Sequence, residues 1–243
     1  MTGVMDMKML DIDLDFFQTG IHCFGKDCDN FLTDENITVW KEKDIIDFLE
    51  QRCGLSKRNK IKGRIVKHHV EAYSYWNELI NKGEIMVPFE VTHIDAHSDL
   101  AYSSSVPFYK FIKDLDNEEL QAQLKDGMIF KGREQLINSG NYLLAAIIVG
   151  WVDKVKYVFH PALDYLDVFD YIVENIEPNK LFRFNFCNYI KKKDVYLEMN
   201  SSQSFGKEHD VKYDYATIAL SPAFVKKEMN ENLDVIREYI EIN

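Results

Sequence analysis

The chain has 243 residues, 46% of them hydrophobic and 13% aromatic, with a formal net charge of −11. That length and composition allow a full hydrophobic core and exclude a disordered or fibrous chain. The acidic balance argues against non-specific binding to nucleic acid or to an anionic membrane.

The residues from Met7 to Phe16 read as a strand in which Asp11, Asp13 and Asp15 alternate with Ile12, Leu14 and Phe16. Alternate side chains of a strand point to opposite faces, so the carboxylates share one face. Like charges placed that close resist joint ionisation unless a cation neutralises them. Residues 18–40, with Gly, Asp, Asn and Thr clusters, read as a long loop. The spacing of Ile45, Ile46, Phe48 and Leu49 predicts a helix from Lys41 to Arg52, stopped by Gly54. The basic run from Ser56 to Arg64 reads as a solvated loop between two helices, with contact to an acidic peptide segment as the alternative.

A second helix is expected from about Ile65 to Asn81, its apolar face formed by Ile65, Ala72, Tyr73, Trp76, Leu79 and Ile80. A strand from Ile85 to Ile94 runs directly into Asp95-Ala96-His97-Ser98-Asp99. Helical spacing covers 107–125, Ile137–Val149 and Leu163–Ile176, and strands are expected over Val155–Phe159, Leu181–Phe186, Asp194–Met199 and Tyr215–Leu220. Ser221-Pro222 opens a final helix towards Ile240. Strands alternating with helices indicate an α/β layer fold with a mostly parallel sheet, in one domain spanning residues 1–243.

Four cysteines, Cys23, Cys28, Cys53 and Cys187, are few for this length and point to free thiols in a reducing compartment. Cys23 and Cys28 have the spacing of a zinc half-site, but no second pair follows. The N-terminus lacks a signal-peptide pattern, and no apolar stretch reaches the roughly 18 residues that span a bilayer. A cytoplasmic location is expected.

In sheets of this kind, ligands bind beyond the carboxyl ends of the strands. The first strand offers Asp11, Asp13 and Asp15 there, and the second offers His93, Asp95, His97 and Asp99, again at every second position. One carboxylate from each strand could bridge two ions; ions about 4 Å apart polarise a substrate and generate hydroxide near neutral pH. An oxygen-rich set with imidazole and no thiolate suits Mn²⁺, with Fe²⁺ or Zn²⁺ possible. His69 falls on the apolar face of its expected helix and His68 about 100° away, so His69 points inward. Alone it reads as a satisfied core histidine; beside a carboxylate-rich site it reads as a third contributor.

These residues resemble a known family. Asp95-Ala96-His97-Ser98-Asp99 looks like the DAHxD motif of arginases and other ureohydrolases, and Asp11-Ile12-Asp13-Leu14-Asp15 resembles their SxDxD motif, with Asp11 in the Ser position. Together LDIDLDFF, HHVEA-x3-W, HIDAHSD and SGNYL are similar to the arginase-like family that includes peptide arginases, which convert arginine side chains of a precursor peptide to ornithine and release urea. The resemblance implies a three-layer α/β/α fold and a centre of two Mn²⁺ ions. It implies that Asp95 and Asp13 bridge the ions, that His69 and Asp99 complete one site, and that His97 and Asp15 complete the other. Asp99 would also hold the attacking hydroxide.

The chain departs from that pattern in three respects. The DxD strand precedes DAHxD, as in a circular permutation; Gln18 and Thr19 replace the aspartate-proline ending; and no segment matches the loop that holds the amino and carboxylate groups of free arginine. The last departure leaves room for a substrate larger than free arginine, and the resemblance makes an arginine-containing peptide the expected one. Hydrolysis of another amide or amidine on a small molecule, and a non-catalytic metal-binding scaffold, are the alternatives. Asp13-Leu14-Asp15 also resembles the nucleophile motif of haloacid-dehalogenase-type phosphatases, but Phe17 stands where those carry Thr or Val. Asn141 reads as a helix cap or a substrate contact, and Glu71 as a guanidinium or metal-shell partner or a surface carboxylate.

Overall fold

The computed structural model describes residues 7–22, 28–100, 118–162, 181–185, 194–206 and 211–242. Its strands are β1 (Lys8–Asp13), β2 (Ile61–Val66), β3 (Phe89–Asp95), β4 (Phe130–Lys131), β5 (Glu134–Gln135), β6 (Val152–Phe159), β7 (Leu181–Asn185), β8 (Asp194–Ser201), β9 (Tyr215–Ala219) and β10 (Ile240–Ile242). Its helices are α1 (Glu42–Gln51), α2 (Glu71–Asn81), α3 (Glu118–Lys125), α4 (Tyr142–Ile148) and α5 (Met229–Arg237), with 3-10 turns over Leu14–Phe17 and Pro222–Phe224.

Eight strands form one sheet in the order β10-β2-β9-β1-β3-β6-β8-β7, and β4 and β5 form a separate small hairpin. The pairings are parallel throughout the large sheet except that β7 runs antiparallel to β8. This is the α/β architecture with a mostly parallel sheet that the alternating pattern predicts. Parallel strands need crossovers, and the helices that make them cover both faces. Met9, Val91, Val155 and Tyr157 point to a core shared with α2 and α4, where Tyr73, Trp76, Leu143 and Ala146 are buried. Leu10, Ile12, Ile94, Ala216 and Ile218 point to the opposite core, shared with Ile45 and Phe48 of α1 and Leu233 and Ile236 of α5.

β1 lies at the centre, between β9 and β3, so both of its faces are covered and alternation decides which layer each side chain meets. Asp11 and Asp13 have the parity of Met9 and face the α2–α4 layer. The strand is shorter than expected. It ends at Asp13, whose side chain caps the 3-10 turn by accepting from the Asp15 backbone N–H at 3.2 Å. Asp15 is therefore delivered by a turn and not by strand alternation.

Four further expectations are corrected. Only the first part of the basic run is an exposed loop: residues 61–64 belong to β2, which pairs with β9 and β10. Arg64 stays in that strand because its guanidinium reaches Glu78 at 2.7 Å and covers the Tyr75 ring at 4.3 Å from its centroid. The expected helix from Ile65 therefore begins only at Glu71, and His68 and His69 sit in the turn before it. The last segment is not one continuous helix either: a 3-10 turn, α5 and the short strand β10 share it. The α4 helix begins at Tyr142, after a turn through Ser139–Asn141, instead of at Ile137. The expected helix over Leu163–Ile176, residues 107–117 of the expected helix over 107–125, Cys23 and Cys187 lie outside the described residues. Among the described residues no helix is long and apolar enough to cross a membrane.

Candidate metal centre

Four neighbouring parallel strands, β2, β9, β1 and β3, end at the same edge of the sheet, and each passes side chains into one buried cluster. After β2, the turn at Lys67–Val70 turns His69 inward until it is 1% exposed. Val70 N–H donates to Ser139 Oγ at 3.2 Å, which ties that turn to the loop before α4. After β9 comes Ser221, in a left-handed conformation with φ of 47°. β1 and its 3-10 turn bring Asp11, Asp13 and Asp15. β3 brings His93 and Asp95, and the loop that follows brings His97 and Asp99, with Asp99 at φ 51°. Asp tolerates that backbone better than most residues.

The six residues singled out by the sequence, Asp13, Asp15, His69, Asp95, His97 and Asp99, all meet here. His69 Nδ1 lies 3.2 Å from Asp13 Oδ2, 3.1 Å from Asp95 Oδ2 and 3.0 Å from Asp99 Oδ2. On the other side of Asp95, His97 Nδ1 lies 2.9 Å from Asp15 Oδ2 and 3.6 Å from Asp95 Oδ1. Despite those short separations, His69 Nδ1, Asp95 Oδ2, Asp99 Oδ2 and Asp15 Oδ2 are buried atoms with no hydrogen-bond partner. Buried polar atoms are nearly always satisfied, so atoms at hydrogen-bond distance without hydrogen-bond angles call for another partner. Two donors about 2.1 Å from one ion and at right angles around it stand about 3.0 Å apart. The observed spacings fit that demand. These Asp/His groups could hold a metal ion.

The histidine orientations agree. His97 Nε2 faces the His22 carbonyl oxygen at 3.1 Å. A carbonyl only accepts, so Nε2 carries a proton and Nδ1 is the nitrogen turned to the cluster. His93 differs: Nδ1 faces Asp11 Oδ2 at 3.1 Å and Nε2 faces the His97 carbonyl at 3.1 Å, so both nitrogens donate and the ring is a buried imidazolium. Asp13 Oδ2 receives the Ser221 hydroxyl at 2.5 Å. Asp95 Oδ1 accepts from the His97 backbone N–H at 2.7 Å, and Asp15 Oδ1 accepts from the Ala96 N–H at 3.2 Å.

The electrostatics are those of crowded, desolvated charge. Burial raises Asp15, and Asp13 and Asp95 beside it push it well above the usual carboxylate range. Burial and the Asp95 charge push Asp99 up to about 7. Burial also works against the charged forms of Asp11 and Asp95, but here the histidines win. His69 and His93 hold Asp11 at about 2, and His69 and His97 hold Asp95 below its ordinary value. Desolvation favours neutral rings, yet Asp11 holds His69, and Asp15 holds His97, well above the ordinary histidine value. His93 is raised to about 9, chiefly by Asp11 against the effect of burial.

The sequence pattern missed two contributors, Ser221 and Tyr142. Ser221 stands just before Pro222 with no polar pattern to mark it. Tyr142, inside the quoted SGNYL segment, donates its hydroxyl to Asp11 Oδ2 and lies 2.8 Å from His69 Nε2. His93 was visible as a strand-end residue, but its role as a buried cation depends on contacts from the neighbouring strand.

Other candidates lie apart from the cluster. His68 pairs with Asp29 at 3.3 Å, and Glu71 is exposed and accepts from the His68 N–H at 2.8 Å. Asn141 occupies the cap position of α4 but makes no side-chain cap. Its side chain accepts from Asn138 N–H and donates to the Leu136 carbonyl, which fixes the preceding loop. His160, at the end of β6, donates from Nε2 to the Gln18 carbonyl at 2.9 Å and accepts at Nδ1 from Ala162 N–H at 3.0 Å. It is a satisfied structural histidine, held below its usual pKa by burial.

No protein-family model matches this chain, and no curated protein matches it in sequence. What the fold and the site define is an α/β protein with a mostly parallel sheet, whose strand ends carry a buried Asp/His cluster able to hold a metal ion.

Proposed function

We propose that this protein is a hydrolase with an arginase-like fold that uses two divalent ions, Mn²⁺ first among them, to cleave the guanidino group of an arginine within a peptide, giving ornithine and urea. The observation that carries the reading is the position of Asp95 between two donor sets. One of its oxygens is turned to His69 with Asp13 and Asp99, the other to His97 with Asp15. A shared carboxylate between two such sets is what a two-ion centre requires. Charge is compatible with it: Asp11, Asp13, Asp15, Asp95 and Asp99 are all buried, and ionising them together calls for cations beside the His93 imidazolium.

Asp13, His69, Asp95 and Asp99 would hold one ion, and Asp13, Asp15, Asp95 and His97 the other. When bound, such ions supply Lewis acidity and a hydroxide nucleophile near neutral pH. The chain's own contribution is positioning and proton handling. Ser221 fixes Asp13, and the His22 carbonyl fixes the His97 ring. Asp99 would take a proton of the attacking water at its carboxylate and pass it to the ornithine amine as the C–N bond breaks. His97 is the most accessible of these ligands, its side chain 23% exposed, and the Phe224 ring lies 5.3 Å from it. The choice of peptidyl over free arginine rests on the motif resemblance. The test is urea release with Mn²⁺ from an arginine-containing peptide and from free arginine in parallel. Turnover of the peptide alone is expected, and no urea from either would contradict the reading.

A further inference from the structure

Beneath the proposed ion ligands lies a second set of contacts that the sequence resemblance does not supply. Tyr142, Asp11 and His93 are each fully buried, and they stand in line with His69. The Tyr142 hydroxyl donates to Asp11 Oδ2, and His93 Nδ1 reaches the same oxygen at 3.1 Å. A hydroxyl has one proton. With that proton given to Asp11, the Tyr142 oxygen can only accept from His69 Nε2, 2.8 Å away. Asp11 Oδ1 stands 3.3 Å from the same nitrogen and has no hydrogen-bond partner of its own. The consequence reaches the other side of the ring. With a proton held at Nε2, His69 turns Nδ1 to Asp13, Asp95 and Asp99, and Nδ1 is the nitrogen whose lone pair an ion would take.

We propose that Tyr142 and Asp11 are positioning residues that lock His69 in the tautomer and orientation needed to bind an ion through Nδ1, with His93 anchoring Asp11 from the opposite side. This rests on the two-ion reading and extends it, because it assigns Asp11 a role other than ligation. The chain follows the general arrangement in which a metal-bound histidine gives its other N–H to an oxygen partner that is itself anchored. Here two elements far apart in sequence provide it: Tyr142 is the first residue of α4, and Asp11 lies inside β1. The tilted packing of the His69 and Tyr142 rings, with centroids 4.7 Å apart, holds the pair in register.

The decisive experiment is metal titration of the full chain carrying Tyr142→Phe, followed by calorimetry with Mn²⁺ and by imidazole ¹⁵N NMR of the Zn²⁺-loaded protein. Removing the hydroxyl should weaken one of the two binding steps by about 10–100-fold and leave the other, centred on His97, within about threefold. The His69 nitrogen shifts should lose the pattern of a protonated Nε2, while those of His97 stay put. Asp11→Asn, which keeps size and shape, should produce the same selective loss and guards against a packing defect in Tyr142→Phe. If both variants bind both ions as the parent does, with unchanged His69 shifts, the positioning role is wrong while the two-ion reading stands. If the parent itself binds none of Mn²⁺, Fe²⁺, Zn²⁺ or Co²⁺, both fall together.

Discussion

Replacing Asp95 by Asn separates charge from shape at the one carboxylate that both donor sets share. The amide keeps an oxygen for the His97 N–H at 2.7 Å and nearly the same volume at a position that is 1% exposed, so the metal-free variant is expected to fold. What it loses is the negative charge facing His69 at 3.1 Å and His97 at 3.6 Å. Partners one step removed from a metal already cost about 10–100-fold in affinity when changed, so a shared ligand is set at about 100-fold or more. Binding to the folded state alone stabilises the parent by about 2.7 kcal/mol when the free ion is at 100 times its dissociation constant. At about 2–4 °C per kcal/mol for a chain of this size, the melting temperature rises by about 5–11 °C. For the variant the same ion concentration is only about equal to its dissociation constant, which gives about 0.4 kcal/mol and a rise of about 1–2 °C. Thermal melts of both proteins with and without Mn²⁺ decide the matter. A variant that gains as many degrees as the parent would refute the shared-ligand reasoning.

Three other expectations follow from the same structure. Metal loading should release protons, because His69 and His97 are held well above the ordinary histidine value in the metal-free fold and must be neutral at Nδ1 to bind. Affinity should therefore fall as pH is lowered from about 8 to about 6, and the calorimetric heat should vary with buffer ionisation enthalpy; heats independent of buffer would count against it. Gly63→Ala should destabilise the protein by about 1–3 kcal/mol in denaturant titration, since its Cβ would lie 2.4 Å from the Ala216 carbonyl oxygen across the β2–β9 pairing. Trp76→Phe removes the indole N–H that donates to the buried Thr217 hydroxyl at 2.9 Å, and should cost about 1–3 kcal/mol. Adding Thr217→Val should recover part of that loss, and a strictly additive double variant would show the bond to be unimportant.

The parts of this site that were legible in the sequence are those written in local spacing. Alternating carboxylates mark β1 because a central strand with one polar face needs them at every second position. The run into Asp95, His97 and Asp99 marks β3 for the same reason, although only Asp95 is still in the strand. His69 was placed inward for the wrong cause. Helical periodicity through Ile65 and Ala72 concealed a strand end, since Lys62 and Arg64 gave β2 the look of a solvated loop. The charge on Arg64 is offset by Glu78 and the Tyr75 ring, which come from α2 and cannot be read locally. Tyr142 and Ser221 were unreadable for a related reason. Each serves a carboxylate more than a hundred positions away, at separations of 131 and 208 residues. The short strand β10 escaped because three residues carry too little pattern to distinguish a strand from a helix end.

The central claim is that this cluster is a two-metal centre, and metal analysis of the purified, Mn²⁺-reconstituted protein tests it most directly. The account predicts about two ions per chain in the parent and a clear loss in Asp95→Asn. Less than about one Mn²⁺, Fe²⁺ or Zn²⁺ per chain, with no gain on reconstitution, would contradict it.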